Sequence, residues 1–176
     1  PIRISFIRRK IVEYFSCDEK SLTPFSNLKI LDIGCGGGLI SEPFARMGAD
    51  VVAVDASEKN INVAKIHAQK SGLKIDYRVG EVGLNNQISE KFDVVLALEI
   101  IEHVSDVETF IKGCADLLKP GGIIFIATMN RTLKSLALAK IAAEYILRWL
   151  EAGTHDWKKF LKPSEVTIYA EKFGLD

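Results

Sequence analysis

Apolar and polar positions fall in blocks along this chain, and the blocks switch between two periods. Residues 28–33 (LKILDI) make a short apolar run closed by glycines, the pattern of a buried strand. A helical pattern follows as far as Met47, with Gly48 as its stop. Residues 50–55 (DVVAVD), rich in β-branched valine, predict a second strand. Residues 57–71 predict a helix with Ser57 as its N-cap and Gly72 just past its end. A third strand is expected at 73–79 and a fourth, the most apolar, at 92–98 (FDVVLAL). Ser105 and Glu108 have the spacing of a capping box, opening a helix that runs to Leu118. The turn Lys119-Pro120-Gly121-Gly122 then separates this helix from a fifth strand at 123–128. Such alternation implies an α/β fold, a mostly parallel twisted sheet with right-handed crossovers and flanking helices.

After Asn130 the pattern changes. Residues 133–150 have a helical period and are apolar on most sides; Lys140, Glu144 and Arg148, four apart, mark one polar edge. A polar loop with Gly153, His155 and Asp156 follows, then a short helical pattern after Pro163. No repeat, low-complexity tract or linker divides the chain, so residues 1–176 read as one domain. Its opening on Pro1 suggests a piece of a longer protein lacking both ends.

The composition narrows the partners. Lys plus Arg equals Asp plus Glu, for a net charge of zero, which argues against nucleic-acid binding through bulk charge. One basic cluster, Arg3, Arg8, Arg9 and Lys10, stands at the start. Cys17, Cys35 and Cys114 are odd in number and match no zinc spacing, which fits a reduced, cytoplasmic compartment. No apolar run reaches the ~18 residues of a membrane span.

The strongest chemical signal is LDIGCGGG at 31–38. Four glycines in five positions let the backbone turn sharply at the end of a strand and approach a ligand closely. Asp55 ends the next strand, about 20 residues on, where a carboxylate can grip ribose hydroxyls. A dinucleotide is one reading of that pair. Two details oppose it: Leu39 stands where the G-x-G-x-x-G pattern has its last glycine, and Asp32 would repel a pyrophosphate. S-adenosylmethionine has no phosphate and carries an ammonium and a sulfonium, so Gly34 and Gly36 with Asp32 beside them suit it better. A loop that binds nothing, with Asp55 as a helix-capping acid, is the plainer alternative.

The fourth strand leads into LEIIEHV at 98–104. If this turns as a helix, Glu99, Glu102 and His103 lie at i, i+3 and i+4 on one face. Three readings stay open there. The trio could hold Mg²⁺, which would lower the pKa of a phenol and make the attacking oxyanion. His103, helped by Glu102, could act as general base without metal. The turn could also serve only to close the pocket.

Taken together, LDIGCGGG, LALEIIEHV, LLKPGG, MNRTLKS, AEYILRW and GTHDWKKF resemble the ubiquinone-biosynthesis O-methyltransferase family, which comprises the 2-polyprenyl-6-hydroxyphenol methylases and 3-demethylubiquinol 3-O-methyltransferases. The likeness runs from Pro1 to about Glu165; NRTLKS, AEYILRW and GTHDWKKF are its specific parts, while the glycine loop is shared widely. The resemblance implies a Rossmann-like class I methyltransferase that moves a methyl group from S-adenosylmethionine to ring hydroxyls of polyprenylated phenols or catechols. It implies cofactor contacts at Arg3, Gly34, Asp55 and Leu98, and in some members Mg²⁺ on the positions matching Glu99, Glu102 and His103. On the residues alone Arg3 reads more readily as a solvated surface charge than as a ligand to the cofactor. The usual N-terminal helical region is not seen before Pro1, and the last two strands expected of the fold are not seen before Asp176.

A polyprenyl tail is insoluble in water. Residues 133–150, with Tyr145 and Trp149 as interfacial anchors and Lys140 and Arg148 near headgroups, therefore predict peripheral contact with the inner face of a membrane, or a cover over the substrate pocket. Contact with other enzymes of the same pathway is a further expectation. His155 and Asp156 could orient substrate. The rival functions are a non-catalytic S-adenosylmethionine-binding module and a nicotinamide-dependent oxidoreductase.

Overall fold

Five strands make one sheet in the computed structural model, which describes residues 2–83, 88–128 and 161–175. They are β1 (Lys29–Ile33), β2 (Asp50–Asp55), β3 (Asp76–Val79), β4 (Phe92–Leu98) and β5 (Leu118–Ala127). Every pairing is parallel, and the order is β3-β2-β1-β4-β5. The chain therefore steps outward from β1 through β2 to β3, then returns to place β4 on the other side of β1. In open α/β sheets the crevice beyond the strands' carboxyl ends at such a reversal takes the ligand. Here it lies between β1 and β4.

The central strands read as mostly apolar runs because both faces are covered. On one face lie α1 (Ile2–Phe15), α2 (Ser41–Arg46) and α3 (Glu58–Lys70). Ile7 and Ile11 of α1 pack with Phe25, Phe44 and the strand residues Ile30, Val51, Val94 and Leu96. Ile61, Ala64 and Ala68 of α3 pack on Ala53 and Tyr77. The opposite face carries α4 (Val107–Leu117) and α5 (Pro163–Lys172). Phe110, Ile111, Cys114 and Leu117 of α4 close over Leu31, Ile33, Val52, Val54, Val95 and Ala97, with Val166 and Tyr169 of α5 and Phe173 just past its end against the same cluster. Each such aliphatic or aromatic side chain contributes about 1.5–3 kcal/mol by leaving water.

The α/β order, the parallel pairing and the helix after Pro163 are as expected. Ser57 caps α3 by accepting from Asn60 N at 3.2 Å, and Gly72 follows with φ +66°. Several boundaries differ. The helix α1 was not expected; its register is carried by Ile7 and Ile11, one turn apart, within a run of basic residues that hides the apolar stripe. Strand β3 starts at Asp76 because Leu73 N bonds to Ala68 O at 2.9 Å, so the residues after Gly72 finish the end of α3. The cap of α4 is Asp106, one residue past the expected Ser105: its Oδ1 accepts from Thr109 N at 3.2 Å and its Oδ2 from Thr109 Oγ1 at 2.7 Å. The Lys119–Gly122 turn is a bulge inside β5, since Leu118 pairs with Phe92 and the ladder resumes at Ile123 opposite Val94. The expected helix at 133–150, with Tyr145 and Trp149, and the loop with His155 and Asp156 lie outside the described residues.

Candidate active site

The ends of β1, β2 and β4 converge at the switch point. Gly34 N and Cys35 N both donate to Val54 O, at 2.8 and 3.1 Å, and so stitch the glycine loop to β2. Gly34 has φ +73° and a Cβ there would lie 2.9–3.1 Å from side-chain atoms of Ile100, so both the turn and the close packing require glycine. The loop then enters α2, with Gly38 N bonded to Cys35 O and Glu42 N to Gly38 O.

Asp55 faces this loop. Its Oδ2 accepts from Gly36 N at 2.9 Å, and its Oδ1 accepts from Ser57 N at 2.9 Å and from Asn60 Nδ2 at 3.2 Å. The helix cap itself is Ser57, so Asp55 is not merely a capping acid. Oδ2, with a single donor, keeps lone-pair capacity for a further hydrogen bond.

Asp55 opens onto a cavity of about 590 Å³. Ile33, Gly34 and Ala56 form its floor beside Asp55; the segment Gly80–Glu81–Val82–Gly83 after β3 forms one wall; Ile100, His103, Val104, Ser105 and Asp106 with Thr109 and Phe110 form the other. Gly34, Asp55 and His103 are thus brought together. Sequence reasoning missed Glu81 and Asp106. The signal was available for Glu81, a polar residue just past a strand end, as Asp55 is.

Asp32 is a correction. It is 2% exposed and absent from the cavity wall, where its neighbour Ile33 stands. Side chains alternate along a strand, so with Leu31 and Ile33 toward α4, Asp32 must face α2. There it accepts from Ser41 Oγ at 2.6 Å. Burial pushes its carboxyl up to about 6, the Asp55 charge adds to the rise, and the Ser41 hydrogen bond opposes it. Cys35 is likewise buried, and its thiol is held well above the usual range. Leu98 is half-buried among the residues packed toward α1 and α2, away from the cavity wall.

The trio expected to hold Mg²⁺ is not gathered. Residues Ile101–His103 form a short 3₁₀ turn rather than an α-helix, so the i, i+3, i+4 face does not form. Glu99 has φ +57° and its Oε1 pairs with Arg3 Nη2 at 2.6 Å. Glu102 is 5% exposed and accepts from Thr128 Oγ1 at 2.9 Å. His103 alone reaches the cavity. Among the described residues no cluster of three such side chains could hold a metal ion, so these donors as arranged do not fit Mg²⁺. Arg3 is exposed, and its guanidinium is engaged by Glu99.

Residues 31–126 match the family described as methyltransferase domain. A ubiquinone biosynthesis O-methyltransferase of Bartonella tribocorum is 55% identical over 175 residues, covering 99% of this chain and 71% of that protein. Its counterpart in Pelagibacter ubique is 54% identical over 175 residues, covering 99% and 72%. Among solved structures, an S-adenosylmethionine-dependent methyltransferase from Clostridium acetobutylicum superposes with a TM-score of 0.62 at 24% identity, over 77% of this chain and 52% of that one. A Pyrococcus horikoshii protein gives 0.71 at 20% identity, over 97% and 80%. At those identities the structures speak to the fold alone.

A switch-point glycine loop, an acid ending β2 and the domain match define an S-adenosylmethionine-dependent methyltransferase on a Rossmann-like sheet. The relatives narrow this further, and the chain belongs to the ubiquinone biosynthesis O-methyltransferase family.

Proposed function

We propose that this chain methylates a ring hydroxyl of a polyprenylated phenol or catechol, with the cofactor seated in the cavity between Asp55 and His103. The observation that supports this most is the shared cavity itself: one space of about 590 Å³ touches the glycine turn, a strand-end carboxylate and an imidazole. S-adenosylmethionine supplies an electrophilic methyl group on sulfur. Asp55 accepts hydrogen bonds from the ribose hydroxyls. Gly34 and Gly36 let the methionine end lie against the loop backbone. Glu81 accepts from an exocyclic amine of the adenine. Arg3 binds the cofactor's carboxylate by exchanging it for Glu99, one carboxylate replacing another at the same guanidinium. Asp32 acts from behind the loop, and Leu98 acts by packing.

His103 takes the phenolic proton as the oxygen attacks the methyl carbon. The ring oxygen gains the methyl, the sulfur keeps the electron pair of the broken bond, and the proton stays on the imidazole until solvent removes it. Alignment is the protein's larger contribution. Glu102, held by Thr128, fixes the turn that presents His103. No step here needs Mg²⁺. The substrate tail is met at the inner face of a membrane through residues 133–150, or beside other enzymes of the pathway. No helix among the described residues is long and apolar enough to cross a membrane.

Methyl transfer from labelled cofactor to a catechol with a short prenyl tail, with and without EDTA, tests this. Equal product in both conditions is expected. No product in either would refute the reading, and loss with EDTA alone would restore the metal. Liposome flotation tests the membrane contact: the Ile146→Glu, Leu150→Glu variant should no longer float, and unchanged flotation counts against it.

A further inference from the structure

Tyr77 of β3 lies under the glycine loop, on the sheet face away from the cavity. It is 4% exposed and packs with Ala53, Ile61 and Ala64. A Cβ on Gly38 would sit 2.2 Å from the Tyr77 hydroxyl oxygen and 3.1 Å from the ring Cζ. The phenol therefore rests against the loop backbone, and only a glycine leaves it room. Gly38 also has φ +84°, so the contact falls where the chain is already turned into the left-handed region.

The hydroxyl has a second property. It is buried and has no partner of hydrogen-bond geometry among the described residues. Ser41, close to it, gives its own proton to Asp32. Burial, with the neighbouring Cys35, Glu42 and Asp32 adding and the Ser41 hydroxyl opposing, pushes the phenol up to about 12, so it stays protonated. A buried unpaired hydroxyl lowers stability. Phenylalanine would fill the same ring space without that cost. What the oxygen adds toward the loop is its contact with residue 38.

We infer that Tyr77 is a positioning residue for the cofactor: its hydroxyl is a spacer that sets the height of residues 36–38 above the sheet, and with it the affinity for S-adenosylmethionine. This rests on the reading of 34–38 as the cofactor loop. A residue that only filled the core would lose stability and affinity together when trimmed. A spacer with an unpaired oxygen behaves oppositely: removing the oxygen relieves the fold and slackens the loop.

The test is calorimetric titration of S-adenosylhomocysteine into wild type, Tyr77→Phe, Gly38→Ala and the double variant, with melting curves and steady-state kinetics. Tyr77→Phe should bind about fivefold more weakly, the size expected of coupling through one packed contact. Its melting temperature should be unchanged or higher. The KM for cofactor should rise, while kcat and the KM for the phenol stay constant. Gly38→Ala should bind at least about thirtyfold more weakly, because its Cβ meets the hydroxyl. Adding Tyr77→Phe should then recover part of that loss, since the clashing atom is gone. Wild-type affinity in Tyr77→Phe, equal falls in stability and affinity, or losses that multiply in the double variant would each overturn the inference. If Gly38→Ala does not fold, Tyr77→Phe alone decides it. A wild type that fails to bind S-adenosylhomocysteine refutes the loop reading itself, whereas a wild type that binds beside an unchanged Tyr77→Phe refutes only the spacer.

Discussion

Replacing Asp32 by asparagine should change how stability responds to pH more than it changes the cofactor site. The carboxyl is fully enclosed, bonded to Ser41, and raised from 3.8 to about 6, chiefly by burial. Between those values the folded state holds a proton that the unfolded state has released, so stability falls as pH rises through that window. The contribution is complete below 3.8 and gone about one unit above 6. The whole span is about 3 kcal/mol at about 1.36 kcal/mol per unit. Between pH 5 and pH 7.5 it amounts to about 1 kcal/mol, since one tenfold of proton preference remains at the lower pH. Asparagine has no titration there. Urea unfolding followed by circular dichroism should show the Asp32→Asn variant gaining about 1 kcal/mol on wild type across that range, or about 0.5 M in midpoint for a slope of about 2 kcal/mol/M. Parallel profiles, with a difference that does not move with pH, would refute the claim that this acid is buried as a charge behind the loop.

Three further outcomes follow from the geometry. Asp55→Asn replaces one acceptor oxygen with a donor facing Gly36 N, Ser57 N or the ribose, and should weaken S-adenosylhomocysteine binding about 10- to 100-fold by calorimetry, the range for hydrogen bonds to a charged group; a change under about threefold contradicts the ribose role. His103→Ala should lower kcat about 10²- to 10⁴-fold with cofactor affinity and melting temperature nearly unchanged, because the imidazole is exposed on the cavity and supports no packing. Thr128→Val leaves the buried Glu102 carboxylate without its hydroxyl donor and should cost about 1–3 kcal/mol in denaturant unfolding; stability equal to wild type would show that Glu102 finds water instead.

The sheet was legible because β1, β2 and β4 are covered on both faces and so run as short, mostly apolar segments. The glycine loop and Asp55 were legible because strand ends and left-handed turns limit the residue types allowed. Asp32 was misplaced by proximity: it adjoins the loop in sequence, but strand alternation turns it to the other face. The Glu99, Glu102 and His103 face depended on an α-helical turn, and a 3₁₀ turn with Glu99 at φ +57° sends the three side chains apart. The α1 helix escaped notice because two buried isoleucines carry it within a basic stretch. Tyr77 gave no signal at all, since its partner Gly38 is close only through the β2–β3 register.

The Asp55 and His103 outcomes depend on the crevice between β1 and β4 seating S-adenosylmethionine with Asp55 on its ribose. A crystal structure of the protein grown with S-adenosylhomocysteine tests it most directly. The ribose hydroxyls should lie within hydrogen-bond distance of the Asp55 carboxylate, the adenine beside Glu81 and Val82, and His103 facing the sulfur across the cavity. A ligand bound elsewhere, or seated there without touching Asp55, would contradict it.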